Sequence, residues 1–429
     1  MASADYIRDK QWILKAFDAE SVWSQSKGQG VTVAVVDTGV DGSHPDLTGQ
    51  VLPGKDFLSA GGSAHRDLDG HGTSLASEIA GHGHGAHHAD GVMGLAPAAK
   101  ILPLRISSNG KDIHDATWAP AVRYAVDHGA KVINLSFGGG GTRPGSDGAE
   151  AVAYAQAHDV VVVAGSGNDG HDSISYPAAL PGVVSVGAVD GKANVWDDSN
   201  YGHGLTITAP GVNIVGAKTS SPSGYAEGSG TSDSTAYVSA AVALVRAKFP
   251  DLTAGQVINR LIKSTTYGGN TITKKPDDKF GYGILRPYSA LTMSIPAGPK
   301  EGPLGQAPAA KESGGAPGTD RSTDRNSEES AASSSSPSSG ALLAIVGGIA
   351  AVVVIGIGIV VAVIIRRRNR GGPGGPGGPG GGTPVQGYGG YPHQPQYPAH
   401  VPGQAPPNPH PYAQQPPQGY PQQPPYQGL

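Results

Sequence analysis

Apolar residues in this chain fall into short unbroken runs. VTVAVV at 31–36 is followed by ILPLRI at 101–106, VINL at 132–135, VVVVA at 160–164 and VVSVGAV at 183–189. Such runs are the pattern of strands buried on both faces. Between them lie stretches with helical spacing, at 71–81, 112–128, 147–158 and 231–248. Strand and helix in this alternation predict an α/β fold, a doubly wound and mostly parallel sheet with helices on both faces. Ligands of such sheets sit at the carboxyl ends of the strands, so chemistry is expected just after the apolar runs.

The pattern changes after residue 295. Residues 296–340 are rich in Pro, Gly, Ser and Ala, have little to bury, and read as a flexible linker. Residues 341–365 carry no charge over a length that reaches roughly 37 Å as a helix, enough for the ~30 Å hydrocarbon layer. Arg366, Arg367, Arg368 and Arg370 follow at once. Positive flanks stay in the cytoplasm, so a single C-terminal transmembrane helix is expected, with the domain 5–295 outside the cell membrane and the tail 366–429 inside. The tail, with its Gly-Gly-Pro repeats and six tyrosines after residue 370, reads as disordered: a docking strip or a solvated spacer. Ala2-Ser3-Ala4 has the form of the end of a signal peptide whose apolar part is missing, so the true start is expected further upstream.

Composition narrows the chemistry. Residues 1–295 hold 22 basic and 28 acidic side chains, which is not the basic footprint of a nucleic-acid binder. The chain has no cysteine, which removes disulfides, thiol catalysis and zinc-thiolate sites.

Candidate chemistry does cluster at strand ends. Asp37 directly follows the first apolar run, His71 opens a helix in Asp-Gly-His-Gly-Thr-Ser, and Ser232 opens another in Gly-Ser-Gly-Thr-Ser. Alone, each reads as a cap. In the chain order Asp, His, Ser they match one known order of the serine triad: a hydroxyl to attack, an imidazole to take its proton, and a carboxylate to fix the imidazole tautomer. Asn168, just past the run at 160–164, places a side-chain amide where it can donate to a developing oxyanion. This chemistry needs no cofactor.

With these blocks the sequence resembles the subtilisin-like serine peptidases, the subtilases, over nearly all of residues 25–290. The resemblance also rests on Gly94-Leu-Ala-Pro97, on Val132-Ile-Asn-Leu-Ser-Phe-Gly-Gly139, on Tyr176-Pro-Ala-Ala and on Ala209-Pro-Gly211. It implies Asp37, His71 and Ser232 as the triad, with Asn168 and the Ser232 backbone N–H as oxyanion donors. It implies a polypeptide substrate that pairs with the edge Ser136, Phe137, Gly138, with Ala164, Gly165 and Ser166 as the opposite wall of the P1 pocket. Ser175 is expected near the pocket base, with a small or medium P1 residue. Where many subtilases read Gly-Thr-Ser-Met-Ala-x-Pro-His, this chain has Asp233, Ser234, Ala236 and Tyr237. Asp233 is expected to point away from the site, since facing it would oppose oxyanion charge.

The N-terminal stretch, the linker, the span and the short tail resemble the mycosins, membrane-anchored subtilases associated with type VII secretion in actinobacteria. This implies processing of secreted or envelope proteins beside secretion-complex membrane proteins. The alternative is a structural component of such a complex, with the peptidase fold kept as a docking body. The segment Gly81-His-Gly-His-Gly-Ala-His-His-Ala-Asp90 carries His82, His84, His87 and His88, and reads as a mobile solvated loop rather than a metal site. Asp46 matches one calcium ligand of the family, but the His-rich loop replaces the other half, and no metal is expected. Asp69 is expected as a loop cap.

Overall fold

A computed structural model describes residues 4–305, except 112, 139–141 and 222. The apolar segment 341–365 and the tail 366–429 lie outside the described residues, and among those described no helix is long and apolar enough to cross a membrane.

The strands are β1 (Thr32–Asp37), β2 (Lys55–Asp56), β3 (His82–His84), β4 (Asp90–Met93), β5 (Lys100–Arg105), β6 (Val132–Leu135), β7 (Val161–Gly165), β8 (Val184–Val189), β9 (Ile207–Pro210), β10 (Ile214–Ala217) and β11 (Tyr225–Gly228). Seven of them form one sheet in the order β2-β5-β1-β6-β7-β8-β9, every pair parallel. The chain builds outward from β1 to β5 on one side and then returns to build β6 to β9 on the other. The ends of β1 and β6 therefore flank the topological switch point, where a crevice opens.

The helices are α1 (Ala4–Lys10), α2 (Trp12–Ala16), α3 (Ala19–Gln25), α4 (His71–Ala80), α5 (Asp115–Asp127), α6 (Asp147–Ala157), α7 (Thr231–Lys248), α8 (Ala254–Lys263) and α9 (Pro287–Thr292). Alternate residues of each central strand feed two cores. Val33, Val35, Val132, Val161 and Val163 pack with α4 and α7, while Ala34, Val36, Ile133, Val162 and Ala164 pack with α5 and α6. That is why the apolar runs are unbroken: both faces of the sheet are covered. Helix α7 lies in the first core and is buried nearly all round from Ser234 to Arg246, so its small residues let the sheet approach closely.

Two regions differ from the expectations above. The His-rich segment is a β3–β4 hairpin, with His82 Nε2 2.8 Å from the Thr48 carbonyl and His84 tied to Asp46. Residues 296–302, assigned to the linker by composition, lie along α8. There Asn259 and Gln256 donate to the carbonyls of Ala297 and Gly298, at 2.9 and 3.0 Å, and Thr253 donates to that of Lys300 at 2.7 Å. A Pro/Gly segment with nothing apolar to bury is held through its backbone acceptors instead.

Residues 4–27 pack along the flank of the domain. Arg8 Nε donates to Gly91 O at 3.0 Å, Trp12 Nε1 to Asn213 O at 3.1 Å and Trp23 Nε1 to Leu95 O at 3.0 Å. None of these residues lines the crevice at the switch point.

Candidate active site

Asp37 is the last residue of β1, and its side chain is 3% exposed. Its Oδ1 accepts the backbone N–H of Thr38 at 2.8 Å and the Thr38 hydroxyl at 3.2 Å. His71 Nδ1 donates to the same oxygen at 2.8 Å. A buried carboxylate held by these donors is fixed in place.

His71 is the first residue of α4, behind Gly70 in the left-handed region. The cap of this helix comes from Asp67: its Oδ1 accepts Gly70 N at 2.8 Å, and its Oδ2 accepts Thr73 N at 2.9 Å and Thr73 Oγ1 at 2.6 Å. The first-turn N–H groups of a helix need such an acceptor. Asp69, expected as the cap, instead lines the crevice beside His71. Close approach is also built in at Gly72, where a Cβ would strike the Gly39 carbonyl.

Ser232 is the second residue of α7 and half-buried. A buried polar chain anchors this turn: Ser239 Oγ donates to Asn134 Oδ1 at 2.9 Å, Asn134 Nδ2 to Ser136 Oγ at 2.8 Å, and Ser136 Oγ to Ser232 O at 3.2 Å. The Ser232 hydroxyl donates to the Ser136 carbonyl at 3.2 Å. Asn168 Oδ1 accepts the N–H and hydroxyl of Thr231, which leaves its Nδ2 as the free end. The point that a Cβ on Gly230 would occupy lies 3.6 Å from Asn168 Nδ2 and 3.6 Å from Ser232 N. Two donors therefore converge on one small cradle, which Gly230 leaves open.

Asp37, His71, Asn168 and Ser232 all line a crevice of about 480 Å³. Ser136, Phe137, Gly138 and Gly165 line it too, as does Ser175. Ala164 and Ser166 lie behind that wall, wholly buried, with Ser166 Oγ donating to Asn200 O at 2.8 Å. A second cavity of about 300 Å³ opens on the other side of His71 and Ser232 and is lined by Lys218, Glu227 and Asp233.

The expected orientation of Asp233 is not what the fold gives. Its Oδ2 is 3.3 Å from the same Gly230 Cβ position, so the carboxylate faces the cradle. The physical reason is that α7 abuts α4, and the half-buried Asp233 lines a cavity together with His71 on the side of the buried Glu78. Burial alone favours a neutral His71, but the charge and hydrogen bond of Asp37, with Asp233 and Asp69 adding, push its pKa up to about 9.

Asp46 stands where the resemblance places a calcium ligand. Its carboxylate is wholly buried and takes nitrogen donors on both oxygens, His84 Nδ1 at 2.6 Å and Val92 N at 2.7 Å. Calcium needs several oxygen ligands with free lone pairs, so these residues do not fit it. Among the described residues, no group of three or more His, Cys, Asp or Glu gathers as a metal site.

Residues 28–283 match the model of the subtilase family. The chain belongs to the subtilase family of serine endopeptidases. Fervidolysin of Fervidobacterium pennivorans is 35% identical over 323 residues, covering 68% of this subtilase and 45% of fervidolysin, so the chain spans less than half of that relative. Among solved structures, MycP1 from Mycobacterium smegmatis is 29% identical with a TM-score of 0.58, over 68% of this chain and 87% of that one. MycP3 protease from the type VII (ESX-3) secretion system is 34% identical with a TM-score of 0.56, over 65% and 87%. The subtilase is thus related to the mycosins of type VII secretion. Glu78 and Asp67 were missed in the sequence. An acid between apolar positions of the helical stretch Leu75-Ala-Ser-Glu-Ile79 was the available signal for Glu78.

Proposed function

We propose that this subtilase cleaves secreted or envelope polypeptides at the cell surface through an acyl-enzyme on Ser232. The observation that carries this reading is the 2.8 Å bond from His71 to the buried Asp37, in a crevice that Ser232 and Asn168 also line. A substrate strand lies along Ser136–Gly138 and brings its scissile carbonyl over Ser232. The Ser232 hydroxyl swings from the Ser136 carbonyl toward His71 Nε2, which takes its proton as Oγ attacks. Asp37 holds Nδ1–H and so keeps Nε2 the basic nitrogen. Asn168 Nδ2 and Ser232 N–H donate to the oxyanion. His71 then returns the proton to the leaving amine, and water, deprotonated by the same nitrogen, releases the acyl group.

The uncharged segment 341–365 with the arginines after it supports a C-terminal membrane anchor, with the catalytic domain outside and the tail 366–429 in the cytoplasm. The likeness to MycP3 supports a place beside a type VII secretion complex. A second reading, a docking body within that complex, is favoured by the Asp233 carboxylate at the oxyanion cradle.

The test is labelling of the full chain by a fluorophosphonate, with Ser232→Ala as control, together with the N-termini of secreted proteins from cells carrying either form. Labelling lost in the variant, with a changed set of N-termini, supports the peptidase. A Ser232→Ala strain that secretes and processes its proteins as the wild type does overturns it in favour of the docking body. Deletion of 341–365 is expected to release the protein into the medium; retention in the membrane fraction would overturn the anchor.

A further inference from the structure

His71, Ser74, Leu75 and Glu78 recur at the spacing of one helical face, and that face of α4 meets the first turn of α7. Glu78 is wholly buried. Its Oε1 accepts the Ser74 hydroxyl at 3.1 Å, while its Oε2 receives no donor. Ser74 lines one cavity with His71 and Asp233, which sets the Glu78 carboxyl beside that of Asp233. Two neighbouring carboxylates, one of them wholly buried, do not both ionise readily. A proton on Glu78 Oε2 converts the orphan acceptor into a donor to Asp233, and the pair then carries one proton and one negative charge.

The surroundings decide which member is charged. Burial, then the Asp233 charge, pushes Glu78 well above the ordinary carboxyl range. Burial also pushes Asp233 up, to about 6, against the opposing pull of His71, the Glu78 hydrogen bond and Lys218. Near neutral pH, Glu78 is therefore the acid and Asp233 the anion. Facing the pair are His71 from α4, Lys218 after β10, Glu227 from β11 and, one turn along α7, the buried Tyr237, whose hydroxyl has no partner. Facing His71 are Asp37, Asp69 and Asp233.

Resting on His71 as base and Ser232 as nucleophile, we propose that Glu78 and Asp233 act as one acid pair that positions a negative charge beside His71 and so restrains the activation of Ser232. Both are positioning residues: Glu78 orients Asp233, and Asp233 acts through His71. The same charge sits against the oxyanion cradle, so the pair restrains the site in two ways.

The pair is tested on the full chain with carbon-labelled histidine, following the His71 imidazole by NMR across pH and assigning it by its loss in His71→Gln. Fluorophosphonate labelling rates are taken over the same range. Asp233→Asn is expected to lower the His71 midpoint by about one unit and to raise the labelling rate near neutral pH about tenfold. Glu78→Gln, a neutral donor like the protonated acid, is expected to keep the wild-type midpoint, whereas Glu78→Leu shifts it toward that of Asp233→Asn. An unchanged midpoint in Asp233→Asn overturns the proposal, as does a Glu78→Gln shift as large as that of Asp233→Asn. Should Asp233→Asn not fold, the infrared carbonyl band of a buried carboxylic acid decides: present in the wild type and lost in Glu78→Gln supports the pair, absent in the wild type sinks it. The NMR titration needs no activity. Failure of Ser232 as nucleophile, seen as labelling that persists in Ser232→Ala, is thus distinct from failure of the pair.

Discussion

Asn168 Oδ1 accepts both the backbone N–H and the hydroxyl of Thr231, at 2.9 and 2.8 Å. This double acceptance fixes which end of the amide is which. Only the nitrogen is left for the cradle beside Gly230, where the Ser232 N–H also arrives.

As Asn168 is the proposed oxyanion donor, Asn168→Ala is expected to lower kcat by about 10²- to 10³-fold with KM little changed. Thr231→Val, which removes one of the two donors that orient the amide, should give a smaller loss in the same direction. Steady-state kinetics on a chromogenic peptide separates the two; a loss confined to KM would count against this role.

The pH profile follows from His71. Its folded-state pKa is raised to about 9, and a protonated imidazole accepts no proton from Ser232. As pH falls below that value, kcat/KM should drop about tenfold per unit. Asp37→Asn removes the largest source of the upward shift, so the limb should move to lower pH while kcat falls about 10⁴-fold through loss of the correct tautomer.

Gly72→Ala tests the approach of α4 to β1. A Cβ at Gly72 meets the Gly39 carbonyl and lies 3.2 Å from the Asp37 Cβ. Relief requires α4 to retreat, carrying His71 with it. Activity is expected to fall by about 10²-fold or more, the cost of a misplaced catalytic group. A lengthened His71–Asp37 separation in the variant's crystal structure would check the cause.

A second buried ion pair bears on stability. Arg105 Nη1 donates to Asp56 Oδ2 at 2.7 Å, with side chains 8% and 1% exposed. Burial works against the Asp56 charge, yet the Leu58 N–H and Arg105 outweigh it and hold its pKa below the usual value. The sign is that of a depressed carboxyl: its contribution is present above an unfolded pKa of about 3.9 and is lost as pH falls through the folded value. Asp56→Ala strands the Arg105 charge and should cost about 3–5 kcal/mol near neutral pH, less in acid. Calorimetric unfolding at the two pH values reads this directly.

At Asp46 the expectation is that chelation leaves the melting temperature unchanged. His84→Ala, by contrast, removes one of the two nitrogen donors to a wholly buried carboxylate and should cost about 1–3 kcal/mol. A chelator that lowers the wild-type melting temperature would argue for bound calcium after all.

The sheet, and the gathering of Asp37, His71, Asn168 and Ser232 at one crevice, were legible in the amino-acid sequence because both come from local rules. Val33 to Val36 had to be apolar on both faces to lie between α4 and α7 on one side and α5 and α6 on the other, and the unbroken run announces it. Asp37 ends a strand, Asn168 follows one, and His71 and Ser232 open helices, which is where a doubly wound sheet gathers its chemistry. Tertiary structure decided what depends on which side chains meet. Two aspartates, Asp67 and Asp69, stand just before α4, and only the path of the loop makes Asp67, the more distant in sequence, the cap. The His-rich segment could not be told from a mobile loop until Asp46 was placed across from His84. Nor does local sequence orient Asp233. A carboxylate in the first turn of a helix suits the dipole whether it faces water or the site, and the choice falls to Glu78, 155 positions earlier in the chain, which offers a buried proton to an anion.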